Sequence, residues 1–168
     1  REVDTAARRL DNAAIEHKAS LIEGVREEIG YGVDLAVDLH WNFTAETAAR
    51  LIEKLEPYDL AWIEDPVPPK RIEAHRRITE STTTPILTGE NAVTVDGFND
   101  LVTEDALDIA APDVNRCGGL RELRKIATVC DLYGVPIAPH NIASPVGTVG
   151  GAHAMAAIPN VVALEYHA

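Results

Sequence analysis

Six polar residues recur along the chain at a nearly constant spacing, each at or just after the end of a short apolar run. Successive members are separated by 23 to 27 residues. In chain order they are Asp38, Glu64, Glu90, Asp113, His140 and Glu165. Carboxylates can bind a divalent cation or transfer protons, and an imidazole can act as a base near neutral pH. The set indicates acid–base chemistry if the fold brings these side chains together.

The first three members are carboxylates that end successive apolar runs. Asp38, Glu64 and Glu90 would repel one another if they lay side by side without a cation among them. Oxygen ligands favour a hard cation, so Mg²⁺ is the first candidate and Mn²⁺ the second. Any one of these carboxylates taken alone would more often be a solvated surface group. What favours a metal site is that all three carboxylates occupy the same position relative to successive apolar runs.

Asp113 and His140 end two successive runs. Neighbouring strands lie about 4.8 Å apart, so the carboxylate of one residue can reach the imidazole of the other. Such a carboxylate would orient the ring, as in a catalytic base, whereas a lone histidine is more often structural. His40 lies two residues after Asp38 and is a candidate general acid, although it could simply pack near Trp41. Glu165 could exchange a hydrogen bond with a substrate.

The elements that must position these residues follow from the hydrophobic pattern. Six short runs of branched apolar residues, at 33–38, 60–64, 85–88, 107–111, 135–138 and 161–164, predict strands. A helix is predicted over residues 4–29, with Gly30 as its cap. Its predicted apolar stripe consists of Leu10, Ala14, Leu21, Val25 and Ile29. A second helix begins after Thr44 and stops before Pro57, and a third, starting near Leu120, ends at Gly134.

Alternating strands and helices predict an α/β fold with a parallel sheet. A doubly wound open sheet also collects chemistry at strand ends, but only at its switch point. Six polar strand ends converge only in a (β/α)₈ barrel, where all carboxyl ends share one face. The spacing therefore favours part of such a barrel, with residues 1–168 forming a single domain.

Composition limits the classes of partner. The chain has 168 residues, 27 acidic and 15 basic, for a net charge of −12. This balance argues against nucleic acid and anionic membranes as partners, and no apolar run is long enough to span a bilayer. Cys117 and Cys130 form no disulfide framework, which favours a cytoplasmic location. The surplus of carboxylates suggests a halophilic protein, with an ordinary acidic enzyme as the alternative.

The remaining titratable residues receive structural interpretations. His17 and His75 fall in helical segments and are expected to be solvated, whereas His153 is expected to pack in a Gly/Ala-rich stretch. His167 follows Glu165 closely but falls at the end of the chain. Asp65 should point away from Glu64 because side chains alternate along a strand.

Taken in order, the motifs resemble the enolase superfamily. They are VDLH at 37–40, WIEDPVPP at 62–69, TGEN at 88–91, APDVNRCGG at 111–119, APHN at 138–141 and LEYH at 164–167. More narrowly, they are similar to the mandelate racemase subgroup and its acid-sugar dehydratases of the galactonate and gluconate type. The resemblance covers nearly the whole chain and implies the C-terminal barrel portion, strands three to eight, without the N-terminal capping domain.

The resemblance also implies roles for individual residues. Asp38, Glu64 and Glu90 would bind Mg²⁺. His140, paired with Asp113, would remove the proton α to the substrate carboxylate. Glu165 would hydrogen-bond the substrate carboxylate, and His40 matches the histidine that such dehydratases use as acid for the departing hydroxyl. His40, His140 and Glu165 are therefore the predicted substrate-binding residues.

These observations predict an enzyme that dehydrates an aldonic acid to a 2-keto-3-deoxy acid. Its partner would be a small acid-sugar molecule, and the complete protein is expected to be a homo-oligomer. Two alternatives remain open. A racemase or epimerase would use the same enolate without an acid at His40. A catalytically inactive barrel segment should have lost at least one metal carboxylate, and all three are present.

Overall fold

The computed structural model describes residues 8–142 and 144–166. The chain divides into two compact units, residues 1–86 and 87–168, with the boundary inside the third strand. The expectation of a single domain stays a prediction. Among the described helices, none combines the length and apolar character needed to cross a membrane.

Strands and helices alternate along the first unit. Its helices are α1 (Asn12–Ile29), α2 (Ala45–Leu55), a 3₁₀ helix (Glu56–Tyr58) and α3 (Ile72–Thr79). Its strands β1 (Ala36–Asp38) and β2 (Trp62–Glu64) pair in parallel, with Asp38 opposite Glu64. The amide of Ile63 also donates to the carbonyl of Pro85, just before β3 (Ile86–Thr88) begins. The predicted parallel arrangement is therefore present in this unit.

The second unit continues the same alternation. Its elements are α4 (Thr94–Thr103), β4 (Ile109–Ala110), α5 (Leu120–Leu132) and α6 (Pro145–Met155). Leu87 and Thr88 of β3 pair in parallel with β4. The last two predicted strands are reduced to single parallel bridges, Ala110 with Ile137 and Ile137 with Val161. Four of the six predicted polar residues, Glu90, Asp113, His140 and Glu165, therefore follow neighbouring parallel segments of the second unit.

Two predicted helices form as the sequence indicated. Thr44 caps α2 by accepting a hydrogen bond from the amide of Thr47 at 3.3 Å, and the helix ends before Pro57. Its buried face contains all four predicted residues, Ala48, Leu51, Ile52 and Leu55, together with Thr47. Helix α5 likewise buries Leu123, Ile126, Ala127 and Cys130, and Gly134 follows its end with a φ of 74°. A period-3.6 apolar pattern with a clear cap was sufficient in both cases.

Helix α1 differs from the prediction in its start and in its buried face. Residues 8–11 are not helical, and Asp11 caps the helix by accepting from the amide of Ala14 at 2.8 Å. The rest of the predicted N-terminal extension, residues 4–7, lies outside the described residues. The predicted members Leu21, Val25 and Ile29 are 56%, 41% and 37% exposed. The buried face instead consists of Ile15, Ala19 and Arg26.

Hydrogen bonds to the main chain explain how a charged residue, Arg26, can be buried on this face. It is 3% exposed, and its guanidinium donates to four main-chain carbonyls at 2.8 to 2.9 Å. The acceptors are the carbonyls of Gly30, Val33, Tyr58 and Asp59. All four acceptors are neutral. Because two of them, Tyr58 and Asp59, lie at the end of the 3₁₀ helix, the arginine links the end of α1 to that helix. Hydrophobic periodicity cannot reveal such a contact.

Candidate active site

A buried histidine–aspartate pair lies in the second unit. Nδ1 of His140 is 2.7 Å from Oδ2 of Asp113, and the two residues are 6% and 1% exposed. Asp113 follows β4, and His140 follows the neighbouring bridge residue Ile137. The contact predicted from the sequence is therefore present, because the two residues end adjacent parallel segments.

The other oxygen of Asp113 is held by Asn115. Oδ1 accepts hydrogen bonds from the amide of Asn115 at 2.7 Å and from its Nδ2 at 3.0 Å. One carboxylate oxygen thus anchors the loop, while the other faces the imidazole. This division fixes the orientation of the His140 ring, which is what a base needs in order to present Nε2.

Nε2 of His140 faces two further carboxylates. It lies 3.0 Å from Oε2 of Glu90 and 4.0 Å from Oε2 of Glu165. Glu90 is 7% exposed and also accepts from Nη1 of Arg116 at 3.1 Å and from Nδ2 of Asn91 at 3.0 Å. The second unit therefore places three of the predicted carboxylates, Glu90, Asp113 and Glu165, around the imidazole of His140.

The electrostatics of this cluster favour a charged pair. Burial alone would lower the pKa of His140, but its hydrogen bonds to Glu90 and Asp113, with the charges of Glu90 and Glu165, raise that pKa to about 9. Burial alone would raise the pKa of Glu90, but the hydrogen bond and charge of His140, together with Arg116, hold it below its usual value. The imidazolium and the Glu90 carboxylate therefore stabilise each other's charged forms.

The first unit carries the remaining predicted residues. Asp38 and Glu64 are register partners on β1 and β2, so the two side chains leave neighbouring strand ends. Asp38 is exposed, and its Oδ1 accepts from the amide of His40 at 2.7 Å. His40 is also exposed, as a residue that meets a ligand must be. Asp38, His40 and Glu64 thus lie at the carboxyl ends of one parallel strand pair.

The turn after β1 has a strained backbone. His40 and Trp41 have φ values of 47° and 53°, and their rings stack with centroids 3.8 Å apart. Left-handed conformations are unfavourable for such side chains and persist where surrounding contacts impose them. Here the amide of Trp41 donates to the carbonyl of Asp65 at 2.8 Å, and its indole N–H donates to the Asp65 carboxylate. Trp41 consequently holds His40 in place.

Asp65 differs from its predicted role as a residue that points away. It is 2% exposed and binds Trp41, and one of its carboxylate oxygens lies within 4.8 Å of one from Glu64. A φ of 43° breaks the strand directly after β2 and ends the alternation on which the prediction relied. Strand alternation holds only for an extended backbone, so it could not predict the support that Asp65 gives to the turn.

Two histidines also differ from expectation. His75 is fully buried on α3, at 0% exposed, and neither ring nitrogen has a hydrogen-bond partner among the described residues. Burial lowers its pKa to about 4, although the nearby carbonyls of Val67 and Pro68 oppose that shift. The apolar face of α3 therefore includes the imidazole. His153 is exposed on α6 rather than packed, whereas His17 is solvated as predicted. His167 lies outside the described residues.

The donor chemistry fits a hard divalent cation. All three predicted ligands offer carboxylate oxygens, and Asp38 and Glu64 lie in register on neighbouring strands. Oxygen ligands of this kind suit Mg²⁺ or Mn²⁺ rather than a thiophilic metal. The assignment of Asp38, Glu64 and Glu90 as the metal ligands stays a prediction.

Comparison with known proteins agrees with the fold and the motifs. A family model described as Enolase C-terminal domain-like matches residues 4–168, and the chain belongs to that family. It is similar to a mandelate racemase/muconate lactonizing enzyme-like protein from Rubrobacter xylanophilus, at 39% identity and a TM-score of 0.93. The match covers 99% of this chain and 42% of that structure. The predicted fold class, part of an α/β barrel, is confirmed.

The similar curated proteins include several acid-sugar dehydratases. The chain is 49% identical over 166 residues to D-xylonate dehydratase from Haloferax volcanii, covering 99% of this chain and 40% of that protein. It is 37% identical over 148 residues to D-mannonate dehydratase CC0532 from Caulobacter vibrioides, covering 87% of this chain and 37% of that protein. The chain thus spans about two-fifths of these relatives, and the resemblance to acid-sugar dehydratases is confirmed.

Proposed function

We propose that the whole protein is a Mg²⁺-dependent dehydratase that converts an aldonic acid to a 2-keto-3-deoxy acid. The observation that carries this proposal is the buried pair of His140 and Asp113, whose Nε2 faces Glu90 at 3.0 Å and Glu165 at 4.0 Å. D-xylonate is the first candidate substrate, because the relative at 49% identity is named a D-xylonate dehydratase. Gluconate, galactonate and arabinonate are the other candidates.

In the proposed reaction, His140 is the base that removes the proton α to the substrate carboxylate. Asp113 holds Nδ1, so Nε2 is the nitrogen that accepts the proton. Glu90 is among the contacts that keep the pKa of His140 near 9. If Glu90 held a metal ion, its carboxylate would be less available to the imidazole, and one of the contacts that raise the His140 pKa would be weakened. A base near neutral pKa is well matched to this step.

The other residues act on the charge and on the leaving group. Glu165, when it carries a proton on its carboxyl group, donates a hydrogen bond to the substrate carboxylate as that group becomes an enolate. His40 donates a proton to the β-hydroxyl, which leaves as water when the β-carbon–oxygen bond breaks. Tautomerisation of the resulting enol gives the 2-keto-3-deoxy acid, and no oxidant or reductant is needed. Mg²⁺ held by Asp38, Glu64 and Glu90 would stabilise the negative charge that develops on the substrate.

The test separates proton removal from elimination. The full-length protein is incubated with Mg²⁺ and each aldonate in deuterium oxide, and NMR follows deuterium incorporation at the α-carbon alongside 2-keto-3-deoxy product. We expect His40→Asn to lose nearly all product but to keep exchange, since general-acid help is worth on the order of 10² to 10⁴ in rate. His140→Asn should lose both activities, and the exposed His17→Asn should keep both.

Three outcomes would contradict the assignment. If His40→Asn dehydrates at the parent rate, His40 is not the acid. If that variant also loses exchange, His40 positions the substrate instead. If the parent exchanges and inverts the α-carbon without losing water, the protein is a racemase or epimerase.

A further inference from the structure

Asn141 makes three hydrogen bonds that the proposed reaction does not use. It follows His140 directly and is 3% exposed. Its amide N–H donates to Oε2 of Glu165 at 2.6 Å. Its side-chain Nδ2 donates to the main-chain carbonyl of Glu165 at 3.0 Å and to Oγ1 of Thr148 at 2.8 Å. One residue thus contacts both the backbone and the carboxylate of Glu165.

The first turn of α6 is shaped to receive this side chain. Thr148 lies on that turn, and its hydroxyl donates to the carbonyl of Ser144 at 3.2 Å, which leaves the oxygen free to accept from Asn141. A Cβ at Gly147 would lie 3.3 Å from Oδ1 of Asn141 and 2.7 Å from Nδ2 of Asn115. The absence of a side chain at Gly147 therefore makes room for both amides.

The side chain is held for its donors rather than for its acceptor. Oδ1 of Asn141 is buried and has no hydrogen-bond partner among the described residues, whereas both bonds of the amide group come from Nδ2. A buried acceptor without a partner is unfavourable, and such groups are rare. A residue kept only for packing would not need this amide.

We propose that Asn141 is a positioning residue for Glu165. The Asn141 side chain joins the main chain of Glu165 to the first turn of α6. This link directs the main-chain N–H of Asn141 at the Glu165 carboxylate. The Glu165 side chain, itself 37% exposed, is thereby held with Oε2 4.0 Å from Nε2 of His140. The inference rests on the proposed function, because it adds to the role of Glu165 in substrate binding.

The substitution Asn141→Asp tests the link with little change in shape. An aspartate keeps the acceptors and loses both Nδ2 donors, so an oxygen would face the Glu165 carbonyl. In the full-length protein with Mg²⁺ and D-xylonate, we expect kcat for α-proton exchange to fall by tenfold or more. KM should change less, because the Glu165 contact strengthens as charge develops. A change in KM alone would overturn the proposal.

A double-mutant cycle distinguishes positioning from a structural role. If Asn141 acts through Glu165, then Asn141→Asp lowers kcat in the parent but adds no further loss to Glu165→Gln. An equal loss in both backgrounds would overturn the proposal. Thr148→Val should reproduce part of the loss, and Thr148→Ser, which keeps the hydroxyl, should recover it.

The matched control is Thr128→Val on α5. Its hydroxyl donates to the carbonyl four residues earlier at 2.9 Å, as that of Thr148 does, but it lies on the exposed face of α5. This variant should keep the parent kcat, and a loss equal to that of Thr148→Val would overturn the proposal.

A crystal structure of full-length Asn141→Asp gives a readout besides activity. We expect the Glu165 carboxylate to move by more than about 2 Å, roughly twice an ordinary positional fluctuation in three dimensions, while the contact between His140 and Asp113 is kept. An unmoved carboxylate would overturn the proposal. If the parent protein turns over no aldonate, the proposed function fails, and this displacement still decides whether Asn141 positions Glu165.

Discussion

Nδ1 of His140 lies 2.7 Å from Oδ2 of Asp113, and both side chains are buried where neighbouring parallel segments end. The Asp113 carboxylate orients the ring and is one of the contacts that raise the His140 pKa to about 9. The pair therefore controls both the direction and the protonation of the imidazole, and its removal provides a direct test of the base.

Replacement of Asp113 by asparagine should slow proton abstraction. An amide cannot stabilise the imidazolium as a carboxylate does, and it can present an N–H to Nδ1 and favour the wrong tautomer. We expect Asp113→Asn to lower the rate of α-proton exchange in the full-length protein by on the order of 10² to 10⁴. NMR in deuterium oxide measures it. The exposed Asp131→Asn on α5 is the control, and an equal loss there would point to a general effect.

Replacement of Glu64 by glutamine should weaken Mg²⁺ binding. A neutral amide removes one negative charge from the predicted ligand set while keeping its shape. Mutation of a residue that only hydrogen-bonds to a metal ligand typically lowers metal affinity or activity by about 10- to 100-fold. Loss of a ligand itself should therefore lower the affinity at least about tenfold. Calorimetric titration of the full-length protein measures it, with the exposed Glu53→Gln as control. Unchanged affinity in Glu64→Gln would place the metal at other ligands.

Burial of His75 should make stability depend on pH between about 4 and 6.5. The pKa of this imidazole falls from 6.5 to about 4 on folding, so in this range the unfolded chain binds a proton that the folded chain does not. Stability therefore falls as the pH is lowered from 6.5 towards 4, by up to roughly 3 kcal/mol.

The comparison that isolates this contribution uses His75→Leu, which packs without titrating. Urea unfolding at several pH values should show that the parent loses its stability relative to His75→Leu as the pH falls through this range. His17→Leu, at an exposed site on α1, should keep the parent's pH dependence. Parallel curves for the parent and His75→Leu would mean that His75 titrates normally.

Replacement of Arg26 by lysine should destabilise the first unit. Lysine keeps the charge but lacks the planar fork that reaches four carbonyls at 2.8 to 2.9 Å. Lysine would leave some of these part-buried carbonyls without their donor, and we expect a cost of about 2 to 4 kcal/mol. Chemical unfolding measures it. Arg77→Lys, on the exposed side of α3, should stay within about 0.5 kcal/mol of the parent.

The sequence was sufficient where a repeated pattern carried the information. Regular spacing of polar strand ends led to the contact between Asp113 and His140, and caps with apolar periodicity led to α2 and α5. Both signals arise from backbone geometry that every βα unit shares. The same repetition explains why the last two segments were expected as strands although they form only single bridges.

The residues that support the site were not predictable in the same way. Asn115 and Asn141 stand inside the recognised motifs, but their hydrogen bonds depend on loop conformation, which has no periodicity. Trp41 reaches Asp65 only because two successive residues adopt positive φ. On α1, the buried face was missed because the deciding residue, Arg26, is charged. Charged side chains are almost never fully buried without partners, and here the partners are main-chain carbonyls that no pattern reveals.

The neutral acceptors around Arg26 also determine how this junction responds to ionic strength. An exposed ion pair such as Lys54 with Glu16 weakens as dissolved ions shorten the screening distance, to about 3 Å at 1 M salt. Within the described residues, no carboxylate lies in ion-pair range of Arg26, and its guanidinium donates to neutral carbonyls, so its bonds include no pair of opposite charges for dissolved ions to screen. The contact between α1 and the 3₁₀ helix should therefore be as stable at molar salt concentrations as in dilute buffer.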